Sequence, residues 1–339
     1  MTTELAAYFD RIGFEYSPRA DGTTLGALCR AHINTIPFEN LDVQLGRKTA
    51  RSQAEIHDKL VSRQRGGWCY EQNVLMGWAL DEIGFDVTRL VAGVMREQAG
   101  DGQLGNHILA CLSGWREKTC WSMSDSGRAL LGPMPIMTGA RVDAPFEVGL
   151  TQVDDGYWRF RESAHSDPFG FDFTTAPADQ SVLDAKRIWQ ETNPASPFVQ
   201  NLVVRRRDGV LHHTLRGKVL TTTTIVGLDS RELATADELV DVLDDVFGID
   251  MPEAASLWPA ITERHEALFP GTSEEKGQVR GRPWPWAAPP THKTGRKWPS
   301  VVRRRRESPR LNWRIRPPFH GLPTPADPGF SRQRTRRCC

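Results

Sequence analysis

An α+β fold is predicted by three features of this chain. Apolar residues recur at helical spacing through the first ninety or so positions, short β-type runs bounded by glycines follow, and a third region combines strands with closing helices. Leu5, Tyr8, Phe9 and Ile12 mark the first helix, and Leu25, Leu28 and Ile33 the second. Ile56, Leu60 and Val61 mark the third, and Val74, Leu75, Trp78, Ala79, Leu80 and Ile83 the fourth. Between the second and third lies Ile36-Pro37-Phe38-Glu39-Asn40-Leu41-Asp42, whose proline and Asn/Asp content marks a structured loop. Past Gly84 the period changes. Strands are expected over Val87–Val94, His107–Leu112, Phe146–Leu150, Tyr157–Phe160 and Phe169–Phe173, forming an antiparallel sheet or small barrel. A helix around Val182–Glu191 and the loop Asn193-Pro194-Ala195-Ser196-Pro197 lead into strands at Leu202–Arg205, Val210–Leu215, Lys218–Leu220 and Thr222–Val226. Helices near Leu233–Leu243 and Pro252–Leu268 close this region, with Thr235 and Glu238 at capping-box spacing.

From about Gly277 the composition changes. Arg282-Pro283-Trp284-Pro285-Trp286, Arg303–Arg306 and Trp313-Arg314-Ile315-Arg316-Pro317-Pro318 carry neither period, so a disordered basic tail is expected. Basic runs with interspersed aromatics are one way to hold nucleic acid without sequence preference, but a solvated tail is commoner and nothing else here points to nucleic acid. The formal charge of +1 over 339 residues hides an asymmetry: an acidic excess up to about Lys276 is cancelled by the arginines from Arg280 to Arg337. The six cysteines form no CxxC pair and no regular framework, which argues against a zinc site or secreted disulfide scaffold and for a reducing cytoplasm; no metal is expected. Met1 leads into Glu4-Leu5-Ala6-Ala7-Tyr8-Phe9 without a basic region and apolar core, so neither a secretion signal nor a membrane partner is expected.

Arg65-Gly66-Gly67-Trp68-Cys69-Tyr70-Glu71 carries the chemistry. It sets one cysteine after a glycine pair and directly before a helical run, where unsatisfied backbone N–H groups and the helix dipole favour thiolate over thiol. Cys69 is therefore a candidate nucleophile, against the plainer reading of a buried cysteine packed as a small hydrophobe. An activated cysteine needs a base. His107, opening a strand after Gly102-Gln103-Leu104-Gly105-Asn106, is the best-placed histidine, with His165, His212 and His213 as competitors.

Taken together, the Arg65–Glu71 and Ile36–Asp42 segments and the strand at His107 resemble the arylamine N-acetyltransferase family, as do Ser196-Pro197-Phe198-Val199 and Leu215-Arg216-Gly217-Lys218-Val219-Leu220. The likeness runs to about residue 270. It implies a helical bundle (1–88), a central antiparallel β-barrel (89–200) and an α/β lid (201–276) ahead of the tail (277–339), with a cysteine-protease-like Cys-His-Asp triad between bundle and barrel. It also implies ping-pong acetyl transfer, in which acetyl-CoA acetylates Cys69 and a small arylamine, arylhydrazine or hydrazide takes the acetyl group, with His107 as base. Phe38 would line the acceptor pocket, or serve as core. Glu39 and Arg65 would form a structural ion pair.

One stretch departs from the family. Where the family has an apolar strand ending in Asp-Val-Gly, this chain reads Thr119-Cys120-Trp121-Ser122-Met123-Ser124-Asp125-Ser126-Gly127. Asp125 keeps an Asp-x-Gly and is the candidate third member of the triad. If Cys120–Gly127 were encoded TGC TGG TCG ATG TCG GAC TCG GGN, reading two bases later would give Leu-Val-Asp-Val-Gly-Leu-Gly; this frame-shift hypothesis, which extends to the tail, ends if sequencing finds incompatible codons. An altered strand would impair the enzyme, since losing the orienting carboxylate costs orders of magnitude in rate. Two other functions fit the same residues: a cysteine hydrolase with this triad, and a catalytically dead descendant acting as a binding protein.

Overall fold

A computed structural model describes residues 1–113, 119–121, 130–153, 155–165 and 167–269. The chain opens with α1 (Thr3–Ile12) and α2 (Gly22–Thr35). Thr2 and Asp21 accept N–H groups of the first turns, and α1 stops at Gly13, whose φ of 65° lies in the left-handed region that favours glycine. The strand β1 (Phe38–Glu39) and the short helix α3 (Leu41–Gln44) follow. Next come α4 (Gln53–His57), which runs into a wider π-type turn over Asp58–Ser62, and α5 (Cys69–Ile83). Leu5, Tyr8, Phe9, Leu25, Leu28, Ile33, Ile56 and Leu60 meet Leu75, Ala79 and Leu80 in one core, so the helical periodicity of the sequence marks the faces that pack.

The strands β2 (Asp86–Val94), β3 (His107–Ser113), β4 (Thr119–Trp121), β5 (Met134–Pro135), β6 (Gly139–Asp143), β7 (Phe146–Gln152), β8 (Trp158–Ala164) and β9 (Asp167–Pro177) form an eight-stranded sheet. Every recorded pairing in it is antiparallel, in the order β5-β4-β3-β2-β9-β8-β7-β6. The strand β3 reads as a continuous apolar run because both of its faces are covered. Ala110 and Leu112 join the helical core, while Leu109 and Cys111 join Phe146, Phe160, Phe171 and Phe173 between the strands. The turn α6 (Arg96–Ala99) lies between β2 and β3, and α7 (Gln180–Thr192) and α8 (Pro197–Gln200) follow β9.

A second antiparallel sheet combines β10 (Val203–Asp208), β11 (Leu211–Arg216), β12 (Val219–Thr223) and β13 (Leu228–Glu232). Its fifth strand is β1, paired Phe38 to Arg205 and Glu39 to Val204. Within the segment expected as a loop, Phe38 and Glu39 are thus an edge strand, because their hydrogen-bonding partner lies far away in sequence, and a short helix begins at Leu41. Similarly, the two short strands expected over 218–226 are the single β12. The helices α9 (Ala236–Asp245) and α10 (Trp258–Leu268) accompany this sheet, with Leu239, Val242 and Leu243 packed on Val204, Leu215 and Leu220. Thr235 accepts the Glu238 N–H at 3.1 Å, whereas the Glu238 carboxylate takes the Ala234 N–H at 2.7 Å, one residue earlier than a capping box requires. Among the described residues no helix is long and apolar enough to cross a membrane. Residues 270–339, including the basic tail, lie outside the described residues.

Candidate functional site

Cys69 is the first residue of α5, and the chain reaches it through a turn pressed against β1. The Gly67 N–H donates to the Pro37 carbonyl at 3.1 Å, and the Glu39 N–H donates to the Gly67 carbonyl at 3.2 Å. This closeness requires both glycines. A Cβ on Gly66 would strike the Pro37 carbonyl oxygen and lie 2.7 Å from Glu39 Cγ, while one on Gly67 would lie 2.7 Å from Glu71 Oε2.

Trp68 is the N-cap, but an indole can only donate, so the helix is capped from the other side. The Glu71 carboxylate accepts the Trp68 N–H at 3.2 Å, and Asn73 Nδ2 donates to the Cys69 carbonyl at 2.8 Å. A carboxylate in the first turn also places negative charge close to the thiol. Lys59 offsets that charge, with Nζ 2.9 Å from Glu71, 2.6 Å from Asp42 and 3.6 Å from Glu39. Arg65 completes the cluster at 2.7 Å from Glu39 and 3.3 Å from Asp42. Two cations thus hold three carboxylates in a buried knot. Burial pushes the Glu71 carboxyl up and Lys59 pulls it back. Burial likewise opposes ionisation of Asp42, but Lys59 and Arg65 outweigh it and hold that carboxyl below its ordinary range. For Lys59 itself, burial disfavours the charge, yet the three carboxylates keep its ammonium protonated well above the ordinary lysine value.

His107 opens β3 opposite Ala92, fully buried, with its ring 5.1 Å from that of Phe171. Asn106 fixes the start of this strand, its side chain accepting the Val94 N–H at 2.8 Å and donating to the Val94 carbonyl at 3.2 Å. The Tyr70 hydroxyl donates to the Gly105 carbonyl, tying the first turn of α5 to the approach to β3. Phe38, Trp68, Cys69 and Tyr70 share one buried apolar cluster with Ile108, Phe198 and Val203. Elements far apart in sequence meet here: the Phe198 ring lies 6.3 Å from Phe38 and 5.8 Å from Trp68. Asn40 locks them, donating to the Phe198 and Asn201 carbonyls at 2.8 and 2.9 Å and accepting the Val203 N–H at 2.8 Å.

A family model described as N-acetyltransferase matches residues 22–256. Over 261 residues the chain is 32% identical to the arylamine N-acetyltransferase of Mycolicibacterium smegmatis, covering 75% of this chain and 95% of the relative. The chain belongs to the arylamine N-acetyltransferase family. This is a family of acyltransferases, and it includes the Escherichia coli arylamine N-acetyltransferase, 29% identical over 264 residues, covering 75% of this chain and 92% of that one. The Mycobacterium marinum arylamine N-acetyltransferase superposes with a TM-score of 0.71 at 26% identity, covering 76% of this chain and 98% of that one. The same enzyme in complex with CoA superposes with a TM-score of 0.69, also at 26% identity and with the same coverage.

In this arylamine N-acetyltransferase family member the competing histidines are engaged elsewhere. His165 is exposed, with Nε2 2.7 Å from the Thr224 carbonyl, His212 packs its ring 5.2 Å from Phe146, and His213 lies 3.1 Å from the Thr222 hydroxyl. Asp125 lies outside the described residues. Among the described residues no group of three or more His, Cys, Asp or Glu side chains is placed to hold a metal ion. Sequence reasoning missed Lys59, Asp42, Glu71 and Asn40, all buried polar residues around the turn that leads to Cys69. Lys59 sits in a helical run where a solvent-facing lysine is the ordinary expectation, so nothing local marks it. Glu71 carried the one available signal, an acidic residue at the third position of a helix.

Proposed function

We propose that the protein N-acetylates arylamines, arylhydrazines or hydrazides with acetyl-CoA by a ping-pong reaction through acetyl-Cys69. The observation that carries this is the placement of a thiol at the first position of α5 within an apolar cluster that includes Phe38 and the neighbour of His107. A single thiol among Phe38, Ile108, Phe198 and Val203 fits a small uncharged acyl group, and the helix N-terminus favours negative charge on sulfur and on the carbonyl oxygen under attack. His107 takes the Cys69 proton as the sulfur attacks the thioester carbon. A bond forms between Sγ and the acetyl carbon, the carbon–sulfur bond to CoA breaks, and His107 returns the proton to the departing CoA sulfur. The amine then attacks acetyl-Cys69, forming the carbon–nitrogen bond and breaking the carbon–Sγ bond, while the amine proton passes through His107 to Sγ. Asp125 is assigned as the carboxylate that orients His107, and Phe38 as an acceptor-pocket wall. We further assign the helical part to 1–88, a barrel-like middle to 89–200, a lid to 201–276 and a tail to 277–339, in a cytoplasmic protein.

The test is intact mass after incubation with acetyl-CoA, with and without an arylamine. One added acetyl group, discharged by the amine and absent in Cys69→Ala and His107→Ala, is expected. Asp125→Asn should lose most of the labelling rate, and unchanged labelling in that variant removes Asp125 from the triad. Acetylation that persists in Cys69→Ala overturns the proposal.

A further inference from the structure

Beside the nucleophile turn lies a second buried chain of polar groups that the acetyl-transfer scheme does not use. The Tyr8 hydroxyl is 2.8 Å from His32 Nδ1, His32 Nε2 is 2.6 Å from Gln72 Oε1, and Gln72 Nε2 is 2.8 Å from the Pro37 carbonyl and 3.2 Å from the Gly67 carbonyl. All three side chains are excluded from solvent. The direction of every bond follows from chemistry. Carbonyls only accept, so the Gln72 NH2 faces Pro37 and Gly67 and its oxygen faces the ring. That oxygen needs a donor, so His32 carries its proton on Nε2. Nδ1 is then an acceptor, and the Tyr8 hydroxyl donates to it. Burial, assisted by Arg11 and opposed by the Gln72 contact, lowers the His32 pKa to about 4, and burial pushes the Tyr8 phenol well up, so neither end carries charge near neutrality.

The far end of this chain falls on the two carbonyls that define the site. The Pro37 carbonyl also receives the Gly67 N–H, and the Gly67 carbonyl also receives the Glu39 N–H. The Gln72 amide therefore straddles both rungs of the contact between β1, which carries Phe38, and the turn that delivers Cys69. We propose that Tyr8, His32 and Gln72 form a positioning relay which, by orienting that amide, sets the placement of the Cys69 turn against β1. The proposal rests on Cys69 being the nucleophile. None of the three touches the reacting atoms; they act through the backbone of residues 37 and 67.

The experiment uses the full chain with Tyr8→Phe and Gln72→Met. The measurements are thermal stability, the pH midpoint for alkylation of Cys69 by iodoacetamide, and kcat and KM with acetyl-CoA and an arylamine. Both variants should raise the alkylation midpoint and lower kcat at least tenfold at temperatures where they are fully folded, with KM for acetyl-CoA within twofold. Nitrogen-15 spectra of wild type should show His32 neutral with its proton on Nε2 from pH 5 to 8. An alkylation midpoint and kcat that stay at wild-type values in the folded variants, or an Nδ1–H tautomer, overturn the proposal. If Gln72→Met does not fold, Tyr8→Phe, which removes one oxygen, carries the test alone. Alkylation does not involve acetyl-CoA, so a shifted midpoint in a protein that never becomes acetylated would sink the acetyl-transfer assignment and leave the relay standing.

Discussion

Replacing Lys59 by methionine removes one of two cations from a buried cluster of five charged groups while keeping most of the side-chain volume. The ammonium lies 2.6 Å from Asp42 and 2.9 Å from Glu71, with side-chain exposures of 3% for Lys59 and 0% for Glu71, so solvent cannot replace it. Removing one partner of such a buried pair typically costs about 3–5 kcal/mol, because a carboxylate is left in low dielectric without its counter-ion. At roughly 2–4 °C per kcal/mol for a folded region of this size, a 4 kcal/mol loss lowers Tm by roughly 8–16 °C. The sign of the pH dependence follows from Glu71. Its folded carboxyl is already pushed up by burial, and losing Lys59 removes the interaction that pulls it down. The folded variant therefore binds more protons than folded wild type, and its deficit is smallest at low pH and grows as pH rises through the raised value. Urea denaturation of wild type, Lys59→Met and Lys59→Met/Glu71→Gln at pH 5 and pH 8 measures this. The single variant should show its larger deficit at pH 8, and the double variant should recover part of it. A loss below about 1 kcal/mol, the size of an exposed pair, or a deficit equal at both pH values would refute the assignment of a buried, charge-compensating role.

Two further substitutions probe the geometry around Cys69. Gly66→Ala places a methyl group against the Pro37 carbonyl and the buried Glu39 side chain, neither of which can move aside, so a loss of about 1–3 kcal/mol in urea denaturation is expected, with slower Cys69 alkylation; wild-type values for both would show that the turn has room. Asn40→Ala leaves the Asn201 carbonyl and the Val203 N–H without the Asn40 side chain, while the Phe198 carbonyl keeps the Gln44 amide at 2.6 Å; at about 1–3 kcal/mol for each buried group lost this should lower Tm by several degrees and loosen the Phe198 side of the site, and an unchanged Tm would mean those groups find other partners.

Much of the fold was legible because local period reports local packing. Leu5, Tyr8, Phe9 and Ile12 are the buried face of α1, and the unbroken apolar run from Ile108 to Leu112 is a strand covered on both sides. Turn chemistry misled at β1, where Pro37 and the Asn/Asp residues read as a loop although Phe38 and Glu39 pair with residues more than 160 positions away. Beyond the expected Glu39–Arg65 pair, the charged cluster under the helix start was hidden for a related reason. Lys59, Asp42 and Glu71 are individually ordinary, and only the meeting of three segments turns them into one buried group.

Cys69 could be named as a candidate nucleophile from sequence alone because its surroundings are contiguous: two glycines that permit a tight approach, a residue that opens a helix, and the first turn that follows. The family resemblance alone pointed to Phe38, and Ile108 and Phe198 could be put beside it only by tertiary structure, since their grouping with the thiol arises from strand pairings and side-chain hydrogen bonds between distant segments. Short-range geometry is written in neighbouring residues, whereas a buried cluster of distant segments exists only once loop closure has been overcome by burying the surfaces that bring its parts together.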